Sequence, residues 1–324
     1  MFDMLAKRAL QSVLVLFIMS VLAFVGINLV GDPIYLLVPP DAPQAEIARA
    51  AQQLGLDLPV WQQYGRFLGN ALHGDLGNSF IFNRPALHLI FERMPATLEL
   101  AVMALLLSAA IGIPFGMWSG MHPGSLVQRL SSGFSILGVS VPVFWLGLIL
   151  IMLFSVSLGW LPSGGRGPTK SLLGVEVSFL SWDGIKFMLL PALTLALHNI
   201  ALIMRITEAS TREVAGQEYV RFARAKGLRN SRIIGVHVLK NILIPIVTVV
   251  ALQFGSLVGF AIVTETIFAW PGMGKLIIDS IRVLDRPVIV AYLMLVVTLF
   301  IVINLAVDLL YSLLDPRVRL AEAK

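Results

Sequence analysis

Apolar and polar positions fall in long blocks along this chain, not in the short alternation of a soluble fold. Six apolar runs stand out, at about 9–30, 96–118, 134–158, 187–206, 242–264 and 288–313. Each is close to the ~20 residues a helix needs to cross a hydrocarbon core. The pattern predicts an all-α membrane protein with six transmembrane helices. Lys7 and Arg8 precede the first run, and no small-residue cleavage site is visible before Gly31-Asp32-Pro33. The first run is therefore expected to be a retained span and not a signal peptide.

Two polar blocks interrupt the apolar runs. Residues 31–94 are slightly acidic, are broken early by Pro39-Pro40 and Pro43, and hold a short helical stretch from Ala45 to Leu54. The second block, Ser210 to Pro245, lies in a region where Arg205 to Lys240 contains eight of the 24 lysines and arginines. Ser210 and Glu213 have capping-box spacing, which predicts a helix from there to Lys226. Gly227 is suited to the left-handed turn after a helix end. Asn230 or Ser231 is then expected to cap a second helix running toward Ile242. On the first helix Tyr219, Phe222, Ala223 and Lys226 share a face, and the small Ala223 and Ala225 allow close approach of another surface. Such an element either lies on lipid or docks into a partner protein. The plainer reading is a basic loop that only fixes topology.

Charge supports a direction across the membrane. With the first helix entering from the cytoplasm, 14 of the 24 lysines and arginines fall in roughly 70 inner residues (1–8, 119–133, 205–241 and 314–324), as the positive-inside rule expects. Both termini are then cytoplasmic. Trp160, Trp182 and Trp270 fall near the expected outer boundaries, where indoles favour the headgroup layer. Composition agrees: 57% of residues are hydrophobic and 13% charged, against about 25% charged in soluble domains. The cations are clustered, which makes them a topology signal. No basic run is interleaved with aromatics in the manner of a single-strand binder, so no nucleic-acid partner is expected. With no cysteine, disulfides, thiolate metal sites and thiol catalysis are excluded.

Within the spans, Ser108, Gly112, Gly116 and Gly120 recur every four residues, as do Gly255 and Gly259, a spacing that lets helix backbones approach closely. Pro114, Pro142, Pro191 and Pro245 predict kinks or broken ends. Gly272-Met273-Gly274-Lys275 lacks the Ser or Thr that must follow the lysine of a phosphate loop, since Leu276 stands there. No metal-ligand spacing appears among the five histidines. Neither a cofactor nor a metal is expected, and ATP, if used, is handled by another chain. His198-Asn199 is the notable polar pair inside a span, either a functional group or a hydrogen-bonded structural one. Ser135 with His198 lacks the elements of a serine protease. Asp308, near the inner end of the last span, with His198, would centre the alternative of a proton-coupled secondary transporter.

EYVRFARAKGL, followed by LKNILIP, resembles the coupling loop of type I ABC importer permeases, in the dipeptide and oligopeptide (peptide/nickel) branch. Tyr219, Val220, Ala223, Arg224, Ala225, Lys226, Gly227 and Pro245 carry that resemblance; Arg221 stands where the wider family has a glutamate. LGLDLPVWQQYGRFLGNALHGDLGNS resembles the same branch. So does ETIFAWPGMGKLIIDSI, through Glu265, Ile267, Phe268, Trp270, Pro271, Gly272 and Gly274. Asp285-Arg286-Pro287 departs from the branch's usual Asp-Tyr-Pro, and the tail is similar through Asp308, Tyr311, Asp315, Pro316 and Arg317.

The resemblance implies a chain without enzymatic activity in the bacterial inner membrane, forming half of a translocation pore. Its implied partners are a second homologous permease, two cytoplasmic ATPase subunits and an extracytoplasmic substrate-binding protein, besides membrane lipid. Tyr219 to Gly227 would couple to the ATPases, and Glu265, Trp270, Pro271, Gly272 and Gly274 would face the binding protein. The branch moves dipeptides, longer peptides, glutathione and nickel chelates. The expected division is 1–94 (first helix 9–30, outer polar region 31–94), a five-helix permease core at 95–313 with a cytoplasmic coupling loop at 207–241, and a cytoplasmic tail at 314–324.

Overall fold

Burying backbone polar groups in lipid forces them to bond within a helix, and long helices dominate here. The computed structural model describes residues 2–29, 42–54 and 57–314. Gly31 to Pro40, and Asp315, Pro316 and Arg317 of the tail, lie outside the described residues, as do the side chains of Asp308 and Tyr311. Among the described residues five helices are long and apolar enough to cross a membrane: α1 (Phe2–Leu29), α4 (Ala86–Met121), α7 (Trp182–Ala215), α9 (Asn230–Ile267) and α11 (Arg286–Leu314). A bent pair, α5 (Leu126–Ser140) and α6 (Val143–Leu150, continued as a π-helix over Ile151–Ser157), supplies the sixth if counted as one span.

That pair corrects the expectation of one span over 134–158. Its halves meet at 110°. Val141 is extended (ψ 125°) and Pro142 caps the next helix, because proline drives its predecessor out of the α region and lacks an N–H. Pro114, Pro191 and Pro245 instead sit inside continuous helices. A second π-helical stretch, Ile233–Val238, lies in the first turns of α9.

The chain forms two compact units. In the first (residues 1–94 and 272–302), α1 packs on α3 (Val60–Leu72): Phe24 meets Tyr64 and Phe67 at ring distances of 5.3 and 5.8 Å, and Ser20 Oγ lies 2.8 Å from the Tyr64 hydroxyl. The short helix expected near 45–54 is α2 (Gln44–Leu54). Buried Asp285 accepts hydrogen bonds from Ser79 Oγ and, at 3.1 Å, from the Phe80 N–H. Residues 272–302, which the sequence division put with the core, group with this unit instead.

The second unit (95–271 and 303–324) is built around α7. Ser181 caps it, accepting from the Gly184 N–H at 3.0 Å. The small-residue stripe of α4 lies against it: a Cβ on Gly116 would fall 2.5 Å from the Met204 carbonyl oxygen, and one on Gly120 2.7 Å from that of Glu208. Ser108 Oγ bonds the Ala196 carbonyl at 3.2 Å. The Gly255–Gly259 repeat is not packed in this way at Gly259, which has nothing within 4 Å of its Cβ position. Among the described residues a small hairpin, β1 (Lys170–Leu172) and β2 (Val175–Val177), is the exception to the helical build. Leu173 and Gly174 turn it with positive φ at both positions, as a two-residue hairpin requires.

Candidate functional site

The expected cap at Ser210 is not one. α7 runs through it to Ala215, and the break comes at Gly216, whose N–H bonds the Glu213 carbonyl at 3.2 Å. The reason is tertiary. Thr207 and Thr211 are fully buried beside Gly116 and Gly120 of α4, so the packed face of α7 continues past Ser210 and keeps it helical. The polar helix is α8, Glu218–Ala225, preceded by extended Gln217. Glu218 in its first turn and Arg224 in its last suit the helix dipole.

Gly227 closes α8 as expected, with φ +73°. Its N–H bonds the Arg224 carbonyl at 2.9 Å, and the Leu228 N–H bonds that of Ala223 at 3.3 Å. That pair of bonds is a Schellman closure, and Leu228 completes it by packing on the cluster that contains Ala223. The next helix begins at Asn230, so Arg229 occupies the cap and neither Asn230 nor Ser231 does.

Val220 and Ala223 point inward, Ala223 only 4% exposed, into a core with Ile233, Val238, Ile242 and Ile246 of α9. Ile113, Met117 and Met121 of α4 pack on the same cluster. The face predicted from spacing is therefore split. Ala223 belongs to the chain's own core, while Tyr219 (44% exposed) and Phe222 (62%) face outward with Arg221, Arg224, Ala225 and Lys226. Lys226 Nζ sits 4.6 Å from the centre of the Phe222 ring. The outward face is thus an aromatic flanked by cations, carried on a helix fixed to the ends of two spans.

The residues expected to meet a binding protein are packed inside. Trp270 is 0% exposed and donates its indole N–H to the Ala96 carbonyl at 2.9 Å; it is not a headgroup-layer residue. Its backbone N–H bonds the Glu265 carbonyl at 2.8 Å, and the buried Glu265 carboxylate accepts from Thr97 Oγ1 at 2.6 Å. Arg166 lies 5.9 Å from the Trp270 ring and pairs with buried Glu99 at 2.8 Å. Glu99 also accepts from the Ser178 and Phe179 N–H groups at 2.5 and 2.8 Å. Pro271 is half-buried; Gly272 and Gly274, in the first unit, are buried around the start of α10 (Met273–Arg282). Thr97, Glu99 and Arg166 escaped sequence inspection. The one available signal was Glu99 itself, a carboxylate among the apolar residues at the start of a span.

Of the intramembrane polar pair, Asn199 is buried and tied to its own helix, donating to the Leu195 carbonyl at 3.1 Å. His198 is exposed and faces a cavity of about 350 Å³ lined also by Val143, Gln253, Ser256 and Phe260. Ser135 Oγ donates to the Ala201 carbonyl at 3.3 Å.

Residues 112–320 match the family described as binding-protein-dependent transport system inner membrane component, and residues 1–101 match its N-terminal counterpart. The chain is 38% identical over 317 residues to the dipeptide transport system permease protein of Escherichia coli (strain K12), covering 93% of this chain and 94% of the relative. It is 40% identical over 335 residues to the di/tripeptide transport system permease protein of Pseudomonas aeruginosa (strain UCBPP-PA14), covering 98% and 99%. In fold it is similar to a chain from inward-facing crystals of the MetNI methionine ABC transporter, with TM-score 0.56 at 19% identity over 70% of this chain and 96% of that one. With its apolar spans, its α8 clamp and these matches over nearly its whole length, the chain belongs to the inner-membrane components of binding-protein-dependent transport systems.

Proposed function

We propose that this chain forms half of the pore of an ATP-driven importer for di- or oligopeptides, or a related small solute, and couples it to cytoplasmic ATPases through the outward face of α8. The observation that carries this reading is the mounting of that helix. Val220 and Ala223 lock it to α4 and α9, and the Gly227 closure fixes its end, so Phe222 and its cations move only with the spans. A partner that pushes on Phe222 therefore pushes on the membrane helices. Phe222 and Tyr219, exposed among cations and outside the apolar runs, are the surface that a protein partner would meet.

The working assembly is this chain, a second homologous permease, two ATPase subunits and an extracytoplasmic binding protein, with both termini of this chain in the cytoplasm. The peptide assignment rests on the names of the relatives, and an extracytoplasmic binding protein would do most of the selecting. Closure of the ATPases on ATP would swing α8 and alternate the pore between its two faces. Glu265 and Trp270 brace the outer loop from inside, and the binding protein meets the loop's exposed neighbours. The alternative of a proton-coupled transporter centred on Asp308 and His198 finds no support among the relatives.

Reconstitution tests this. The complex in proteoliposomes, given binding protein and labelled dialanine, should accumulate peptide only with ATP, while the purified chain alone hydrolyses none. Accumulation driven by a proton gradient without ATP would overturn the reading.

A further inference from the structure

Helix α7 is the most enclosed span, with 67% of its apolar stretch buried. From Gly184 to Arg212 only four of its residues are exposed: His198, Arg205, Ala209 and Arg212. Their spacings of seven, four and three place them on one face within about 60° of helical rotation. His198 lies near the middle of the helix, and Arg205 is about 10 Å further along it.

Each level of this face opens on a cavity. His198 faces the one shared with Gln253 and Ser256 of α9. Arg205 faces a second, of about 470 Å³, between α5 and α7, with Ser132, Glu208, Ala209 and Arg212 around it. There Glu208 and Arg212 pair at 2.8 Å. Among the described residues Arg205 has no acidic partner; its guanidinium donates to the Ser135 carbonyl at 3.3 Å. The cavity is left with one uncompensated positive charge.

Lipid is a poor cover for such a face, because ionisable groups within a span face water-filled cavities or one another. Apolar helix faces elsewhere in the chain are exposed, as at Leu106 of α4, and suit lipid. We infer that the His198–Arg205–Arg212 face of α7 lines the solute path, and that Arg205 is a station for the anionic oxygens of the passing solute, such as a peptide carboxylate. The inference rests on the importer reading and adds to it a place and a chemical preference. A lipid phosphate could supply the same oxygens, so the test must separate the two sources.

The absence of cysteine allows a clean experiment in the assembled complex. Single cysteines at Ser256 and Ala209 would probe the two cavities, with Leu106→Cys as the lipid-facing control. Each is treated with the water-soluble sulfonatoethyl (anionic) and trimethylammonioethyl (cationic) methanethiosulfonates during ATP cycling. Both Ser256→Cys and Ala209→Cys should react, and Leu106→Cys should not. At Ala209→Cys the anionic reagent should be favoured by about tenfold relative to its ratio with a free thiol, a modest case of electrostatic focusing. Arg205→Gln should erase that preference and Arg205→Lys keep it. A Ser256→Cys as silent as Leu106→Cys, in a complex that still accumulates dialanine with ATP, would show the face covered by lipid or by the second subunit and sink the inference alone. Equal rates for the two reagents at Ala209→Cys would remove the anion station. A wild-type complex that fails to accumulate peptide with ATP would instead count against the importer reading.

Discussion

The Leu228 amide reaches back over Gly227 to the Ala223 carbonyl at 3.3 Å, so the end of α8 is tied by the same residue whose methyl group enters the core. One short segment thus fixes both the position and the direction of the helix.

Gly227→Val tests that tie. No heavy atom lies within 4 Å of the added Cβ, so its effect is purely conformational. A left-handed φ costs an L-residue about 1–2 kcal/mol, and a β-branched one more. The variant should reach the membrane at normal levels, retain less ATPase on co-purification and transport more slowly. Gly227→Asn should be milder.

Ala223→Trp should behave as a core mutation. Overpacking costs about 1–3 kcal/mol, and Ala223 is in contact with its own chain. The expected result is a lowered melting temperature and faster proteolysis near α8 in the isolated chain, before any ATPase is added. Phe222→Ala should leave both unchanged, because the ring is exposed.

Glu99→Ala leaves Arg166 without its carboxylate, with only the Glu176 carbonyl and the Ser178 hydroxyl as remaining acceptors, and strands the Ser178 and Phe179 amides. Removing one partner of a buried pair costs about 3–5 kcal/mol. The loss should appear as a lower melting temperature of the purified chain and early cleavage between residues 161 and 181. A change under about 1 kcal/mol, the median worth of an exposed pair, would mean that the pair is solvated.

The apolar runs were legible because lipid demands length and hydrophobicity, and both are local properties of sequence. Gly227 was legible for a similar reason: its backbone requirement belongs to one residue. Ser210 misled because capping-box spacing also occurs inside a helix, and what keeps this one going is the contact of Thr207 and Thr211 with glycines some 90 residues away. Hydropathy stays high on both sides of Pro142 and hides the bend there, although the proline itself marked a kink or broken end. Trp270 read as a boundary residue because its partner, the Ala96 carbonyl, is 174 residues distant in the chain. Spacing found the amphipathic nature of α8 but not which side was in, since Ala223 and Phe222 differ by one position and only packing separates them.

The proposed coupling requires Phe222 to touch an ATPase. A photoreactive benzoylphenylalanine in place of Phe222, in the native membrane complex, should crosslink on illumination to a cytoplasmic ATPase subunit, and the yield should change when ATP is added. The same group at Leu106 should give lipid adducts only. A complex that transports peptide yet yields no ATPase adduct at Phe222 would rule out coupling through α8 and leave the basic loop as an anchor.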